Sequence, residues 1–259
     1  MEETKTILQT SHRLRYTLII EGFLVGGCAG IISIVYRQLL AYAEEWVQWL
    51  SAMMRQSVMW AAAGFVLLAL IALGISLLLR HEPLISGSGI PQIEAEVSGH
   101  LDERWFRVLW SKMAAGVLAA LGGLSLGREG PSIQLGGMCG KGFGKIFRRV
   151  SIEQRYLITC GAAAGLSAAF NAPLAGVMFA LEEVHRSFSM SVIVSVMTAS
   201  VTGDFLSQYV FGLAPAFHFD VVRTLPLDLY AVVIGLGILC GAMAACYNFL
   251  TLKAQDWYA

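Results

Sequence analysis

Two short stretches of this chain have the residue types and spacing to hold a small ion. "SGSGIPQIEAE" (residues 86–96) and "GREGPSIQLGG" (127–137) each run from a glycine-rich turn through a proline into a short helix. Proline at the first helical position, with glycine just before it, signals a helix start. The first turn of a helix leaves backbone N–H groups without partners, and the helix dipole adds partial positive charge there. Away from water such an end attracts anions. Glycines let the backbone approach the ion closely, and Ser88 adds a hydroxyl donor. No full cation is required, which suits an ion that must enter and leave again.

The second stretch also sets Arg128 beside Glu129, boxed in by Gly127, Gly130 and Pro131, in one of the most apolar parts of the chain. A carboxylate at an amide-lined helix start can take the place of a passing anion, and protonation removes its attraction. An acid inside a membrane is by default a functional candidate. The plainer alternatives are a helix N-cap or an ion pair with Arg128. Adjacent residues rarely point the same way, so backbone N–H groups are the expected partners of Glu129. Further on, "NAPLAGVMFALEEVHRSF" (171–188) ends an apolar helix with Glu182 and Glu183. One of the two is expected to face protein and the other solvent, unless both simply mark a charged helix end.

The elements that carry these stretches belong to a membrane. Of 259 residues, 56% are hydrophobic and 14% charged, with a mean hydropathy of +0.65. A soluble domain carries about 25% charged residues, so the composition indicates a polytopic membrane protein. Net charge is zero, which gives no reason to expect nucleic acid or an acidic partner. The five cysteines form no C-x-x-C and read as small buried hydrophobes. Two segments, Tyr16–Ala43 and Val58–Leu79, are long enough to cross a bilayer. Apolar pieces follow at 106–126, 156–170, 173–181, 189–211 and 227–252, several of them too short to cross cleanly. Pro91–Gly99 and Pro131–Phe147 are shorter still. Broken helices with N-termini inside the membrane are therefore expected, and protein or a water-filled cavity must surround them. A transporter or channel fits that pattern.

The basic connections "KTILQTSHRLR", "DERWFR" and "KIFRRVSIEQR" should be cytoplasmic, and the acidic, aromatic "AEEWVQWL" should face outward. The polar N-terminus is no secretory signal, because its apolar run continues into a full span. The chain also repeats itself weakly. With Trp46 placed on Trp257, an offset of 211, Leu18, Gly26, Gly30, Tyr36, Leu39 and Ala43 fall on Leu229, Gly237, Gly241, Tyr247, Leu250 and Ala254. Inverted-topology repeats are common in transporters. The expected division is a cytoplasmic segment (1–15), a first transmembrane repeat (16–212), a connecting loop (213–226) and the first helix of an incomplete second repeat (227–259).

"GSGIP" (87–91), "GREGP" (127–131) and "GAAAGLSAAFNAPLAGVMFALEE" (161–183) resemble, in order, the signature stretches of the ClC family of chloride channels and proton-coupled chloride transporters. The resemblance implies an all-α membrane fold of broken and re-entrant helices, covering one repeat and about half of a typical member's membrane region. It implies an anion site formed by Gly87 and Ser88 on the inner side and by Arg128, Glu129 and Gly130 on the outer side. Glu129 would be the gating glutamate and a proton carrier, and Glu183 the inner proton relay, with Glu94 helping water and protons reach it. A serine at 88 resembles chloride-preferring members.

The function so implied is chloride/proton antiport in a plasma or inner membrane, with the N-terminus cytoplasmic. Chloride and protons would be the substrates, without cofactor or metal. A homodimer is expected, with Ala172–Tyr209 in its contact surface. The second half that would supply another helix start and a tyrosine hydroxyl is not in this sequence, so a fragment, a truncated product or half of a split protein with a complementary chain are all expected alternatives. A passive chloride channel would share Glu129 without needing Glu183, and a transport-inactive assembly partner is the rival from another class. No catalytic constellation suggests an enzyme. Lys112 is expected to snorkel to the inner interface or, alternatively, to set a positive potential along the pathway, and Asp204 to lie on a polar helix face or at a helix end. Glu182 and His185 make a single E-x-x-H, short of a di-metal site, and "GGMCGKGFG" fails the phosphate-loop pattern at Leu135 and Gly142.

Overall fold

A computed structural model describes residues 2–186, 188–213 and 226–258, with side chains from Tyr16 onward save those of 228 and 258. All regular structure among the described residues is helical. The elements are α1 (Glu2–Met54), α2 (Val58–His81), a 3-10 turn (Pro83–Ile85), α3 (Ile90–Ser98), α4 (Trp105–Leu121), α5 (Glu129–Ile146), α6 (Ser151–Phe170) and α7 (Pro173–Phe179). A π turn (Ala180–His185), α8 (Met190–Phe211), a 3-10 turn (Leu227–Leu229) and α9 (Tyr230–Tyr258) follow. Among the described residues, four helices are long and apolar enough to span a membrane: Tyr16–Met54 within α1, α2, α8, and Tyr230–Trp257 within α9. The chain divides into two compact units, Met1–Ala216 and Phe217–Ala259. Most of the expected connecting loop, residues 214–225, lies outside the described residues.

The short elements start where the sequence pattern puts them, with one shift. α3 has Pro91 in its first turn and a left-handed Gly89 as N-cap. α5 begins at Glu129, two residues before the expected Pro131. Proline lacks only an N–H that the first turn leaves unpaired anyway, so Glu129 and Gly130 can take helical geometry ahead of it.

The core is built on α5 and α6. Residues Leu157–Ala169 of α6 are buried without a break, and twelve of the eighteen residues of α5 are buried. Small residues replace a hydrophobic stripe, and the two backbones touch. A Cβ on Gly161 would lie 2.8 Å from the carbonyl carbon of Gly136 and overlap its oxygen, while one on Gly165 would lie 3.0 Å from the carbonyl carbon of Ser132. α1 packs on α8 in the same manner, Gly26 against Ala199 and Gly30 against Gly203. Asp204 of α8 is buried rather than on a polar face, and its Oδ2 accepts from Gln208 Nε2 at 2.6 Å. Outward surfaces carry large apolar side chains such as Phe65, Leu70 and Leu77, as lipid contact requires.

A bulkier residue at the α5–α6 crossing should push the helices apart. Gly161→Val is expected to cost about 1–3 kcal/mol or more, read as a lower thermal unfolding midpoint in detergent. Gly27→Ala is the control. A Cβ there meets nothing within 4 Å, so the change should not destabilise, and helix propensity favours the alanine by up to about 1 kcal/mol.

Candidate functional site

The first glycine turn is shaped by two left-handed residues. Gly87 has φ 69° and Gly89 φ 96°, a region costly for any residue with a Cβ. They turn the chain sharply between the 3-10 turn and α3, and leave Ser88 exposed between them. Ser88 Oγ accepts the Ile90 N–H at 3.3 Å, and Gln92 Nε2 donates to Ser86 O at 2.8 Å.

The second turn packs directly on the first. A Cβ on Gly130 would overlap the Ser88 carbonyl oxygen and lie 2.9 Å from Ser88 Cβ. Only glycine allows this approach, so the starts of α3 and α5 meet at one point. They open on a cavity of about 430 Å³, whose wall includes Gly87, Ser88, Glu129, Gly130, Tyr36 and Lys112. Four of the five residues expected at the anion site line it. Arg128 does not. It lies close enough to Arg37 for their charges to interact, and Arg37 stacks over the Phe211 ring, 4.1 Å from its centroid.

Glu129 is half-buried at the cavity wall. Its carboxylate folds back over Gly127, where a Cβ would overlap Oε2. Among the described residues it makes no ion pair with Arg128, and no backbone N–H donates to it, contrary to the expected partnership. Position explains this. The side chain that reaches free N–H groups at a helix start is that of the N-cap, and the N-cap here is Arg128.

Lys112 also departs from expectation. It is 4% exposed and does not snorkel to an interface. Its Nζ donates to Ile85 O at 2.9 Å and Gly87 O at 2.8 Å, so the ammonium holds the first glycine turn from beneath. A buried carbonyl is costly to leave unpaired, and the cation satisfies that of buried Ile85 as well as that of exposed Gly87. Lys112→Met should orphan the buried Ile85 carbonyl, costing about 1–3 kcal/mol, while water can replace the lysine at the exposed Gly87, and the variant should have a lower unfolding midpoint. Tyr36 is the wall residue that the sequence did not mark as functional. It is 2% exposed, with its hydroxyl against Gly116.

Glu183 stands elsewhere, in the π turn after α7. Glu182 and Glu183 are both exposed, which accords with the charged helix end rather than with one residue facing protein. Glu183 lies against Glu94 of α3. Arg186 closes the group, with Nε donating to Glu183 O at 3.2 Å and Nη2 3.3 Å from Glu94 Oε2.

A buried polar network, unread in the sequence, ties the 99–104 connection to α3 and α5. Lys141 Nζ pairs with Glu96 and donates to Asp102 Oδ1 and Glu103 O, each at 2.6 Å. Glu96 Oε2 accepts the Glu103 N–H at 2.6 Å. Gln134 Nε2 donates to Glu103 Oε1 at 3.1 Å and to Leu84 O at 3.0 Å. Hydrogen bonding to Lys141 and its charge hold the Asp102 carboxyl below its usual range. Burial, with Glu96 beside it, pushes Glu103 up to about 7.

Two helix starts meeting at one cavity, within a bundle of broken helices, define a membrane ion-transport fold. The chain belongs to the voltage gated chloride channel family, whose pattern matches residues 72–259. It is 35% identical over 253 residues to the H(+)/Cl(-) exchange transporter ClcA of Salmonella arizonae, spanning 93% of this chain and 52% of that protein. The ClcA of Citrobacter koseri is 36% identical with the same coverage. Among solved structures, a slow cyanobacterial Cl⁻/H⁺ antiporter matches with a TM-score of 0.81 at 33% identity, over 93% of this chain and 57% of that one. A CLC-type fluoride/proton antiporter shares the fold, with a TM-score of 0.69 at 21% identity over 88% and 55% of the two chains. This chain thus spans about half the length of the curated relatives it matches.

Proposed function

We propose that this integral membrane chain forms one half of a chloride/proton antiport pathway. The convergence of Ser88 and Gly130 on one cavity, with Glu129 in its wall, carries this conclusion. Chloride would sit among the backbone N–H groups of Gly87 and Ser88 and those of Arg128, Glu129 and Gly130. The positive ends of α3 and α5 favour an anion there. Glu129 competes for the same place. An arriving chloride displaces its carboxylate, which takes up a proton, and release of that proton lets it return. Coupling follows from the exclusion of one negative charge by the other. Glu183, with Glu94 alongside, would exchange protons with the cytoplasmic water, given an N-terminus on that side of the plasma or inner membrane. The relatives named as exchange transporters support this assignment, and a homodimer using the 172–209 face accords with it.

The test is flux in liposomes carrying the purified chain, with the reversal potential measured under a pH gradient. Antiport shifts the reversal potential with the gradient. A pH-insensitive value would make the protein a passive channel. Flux only after a complementary chain is added would assign it to a split transporter, and no flux in either case would mark an inactive assembly partner.

A further inference from the structure

Glu103 is the most deeply enclosed carboxyl among the described residues that the pathway does not use. It is 0% exposed. Its Oε1 accepts from Gln134, and its Oε2 has no partner among the described residues. The groups around it come from every neighbouring element: Glu82 at the end of α2, Glu96 from α3, Lys112 from α4, and Gln134 and Lys141 from α5. Two of these neighbours are acids and two are bases, so ionising Glu103 adds a third carboxylate to a site with two ammonium groups.

Gln134 links this carboxyl to the first glycine turn. It is 0% exposed, and the nitrogen that meets Glu103 also donates to Leu84 O. Its body packs on Gly89, where a Cβ would fall 2.7 Å from Gln134 Cβ. One side chain therefore touches both ends of the segment 84–89, which carries Gly87 and Ser88, while Lys112 holds its middle. We propose that Glu103 is a positioning residue: through Gln134 it sets the placement of residues 84–89, so that a proton on this carboxyl changes how the turn holds an anion.

The physical basis is the difference between the two forms of Glu103. A carboxylate accepts a charge-assisted hydrogen bond from Gln134, about twice as strong as a neutral one, but leaves its second oxygen charged and unpartnered. A carboxylic acid grips Gln134 more weakly and removes that penalty. Each form pulls differently on the amide that Leu84 and Gly89 share. The anion part of the proposal rests on the pathway proposed above. The placement of the turn does not.

The experiment separates the two. Hydrogen–deuterium exchange of peptides covering 84–89, corrected for intrinsic chemistry, is followed in the full chain between about pH 5.5 and 8.5. The expected result is a step of about threefold or more near neutrality. Glu103→Gln should abolish it, and Asp102→Asn and Glu129→Gln should keep it. Should Glu103→Gln not fold, Glu103→Asp, which withdraws the carboxyl from Gln134, must move or remove the step. A wild-type turn without a step, or a step unchanged in the Glu103 variants, overturns the proposal. Chloride calorimetry supplies the second readout. Measured in a Glu129→Gln background, where the competing carboxylate is gone, affinity should follow the same step with Glu103 present and be flat once Glu103→Gln is added. A step in exchange without chloride binding at any pH would sink the pathway and still support the positioning role.

Discussion

Replacing Glu129 with glutamine is expected to uncouple proton movement from chloride movement. Glutamine keeps the size and shape of the side chain, so the wall of the 430 Å³ cavity and the fold over Gly127 are preserved. It cannot take a negative charge at any pH. Chloride then has no rival for the N–H groups at the two helix starts, and no group at the site collects a proton when chloride arrives. Loss of a positioned proton carrier lowers proton transfer by about 10²-fold or more. Parallel chloride-electrode and pH-electrode recordings from the same liposomes check this. Chloride flux should persist with little pH dependence while proton flux falls to background. Glu183→Gln should give a different signature, proton flux lost and the chloride step at Glu129 retained. Both Glu182 and Glu183 are exposed, so Glu182→Gln is the control that shows which of them matters. Unchanged coupling in Glu129→Gln would remove the competition on which the mechanism depends.

The parts of this site that were legible in the sequence share a cause: their signals are local. Glycines at 87 and 89 before Pro91 state a sharp turn followed by a helix, and the structure has left-handed glycines and a helix from Ile90. The start of α5 was placed two residues late because a proline is tolerated anywhere in the first turn and does not fix the N-cap. Glu129 lacks the expected backbone partners for the same reason, since an N-cap and a first helical residue look alike in sequence.

What stayed illegible depends on pairs far apart in the chain. Lys112 looks like a charge near a membrane boundary until the free carbonyls of Ile85 and Gly87 are seen above it. Lys141 lies within the expected Pro131–Phe147 helix, in a glycine run with no acid close by in sequence, yet it is 1% exposed. Its acids come from α3 and from the connection after it. At Glu182 and Glu183 the sequence left two readings open, and the π turn, wider than an α turn, brings successive side chains nearer one face, so that both are exposed.

Lys141→Met is expected to produce the largest loss of stability among the substitutions considered. The lysine is buried on α5 between Glu96, Asp102 Oδ1 and the Glu103 carbonyl. Methionine fills the same volume but leaves Glu96, itself 7% exposed, as a buried carboxylate without its cation. Breaking such a pair from one side costs about 3–5 kcal/mol. The other acid contributes little. Asp102 is 80% exposed on its side chain, so water screens it, and Asp102→Asn should change stability by no more than about 1 kcal/mol. Removing both buried charges is a different matter, because a neutral pair of similar volume has no desolvation to offset. Lys141→Met combined with Glu96→Gln should therefore recover most of what Lys141→Met loses, and denaturant unfolding of the four proteins measures it. The Glu103 N–H still has an acceptor in the glutamine, so the 99–104 connection keeps its anchor in the double variant. Equal stability of Lys141→Met and the parent would mean that water reaches this network, and that the glycine contacts with α6 alone hold α5 in place.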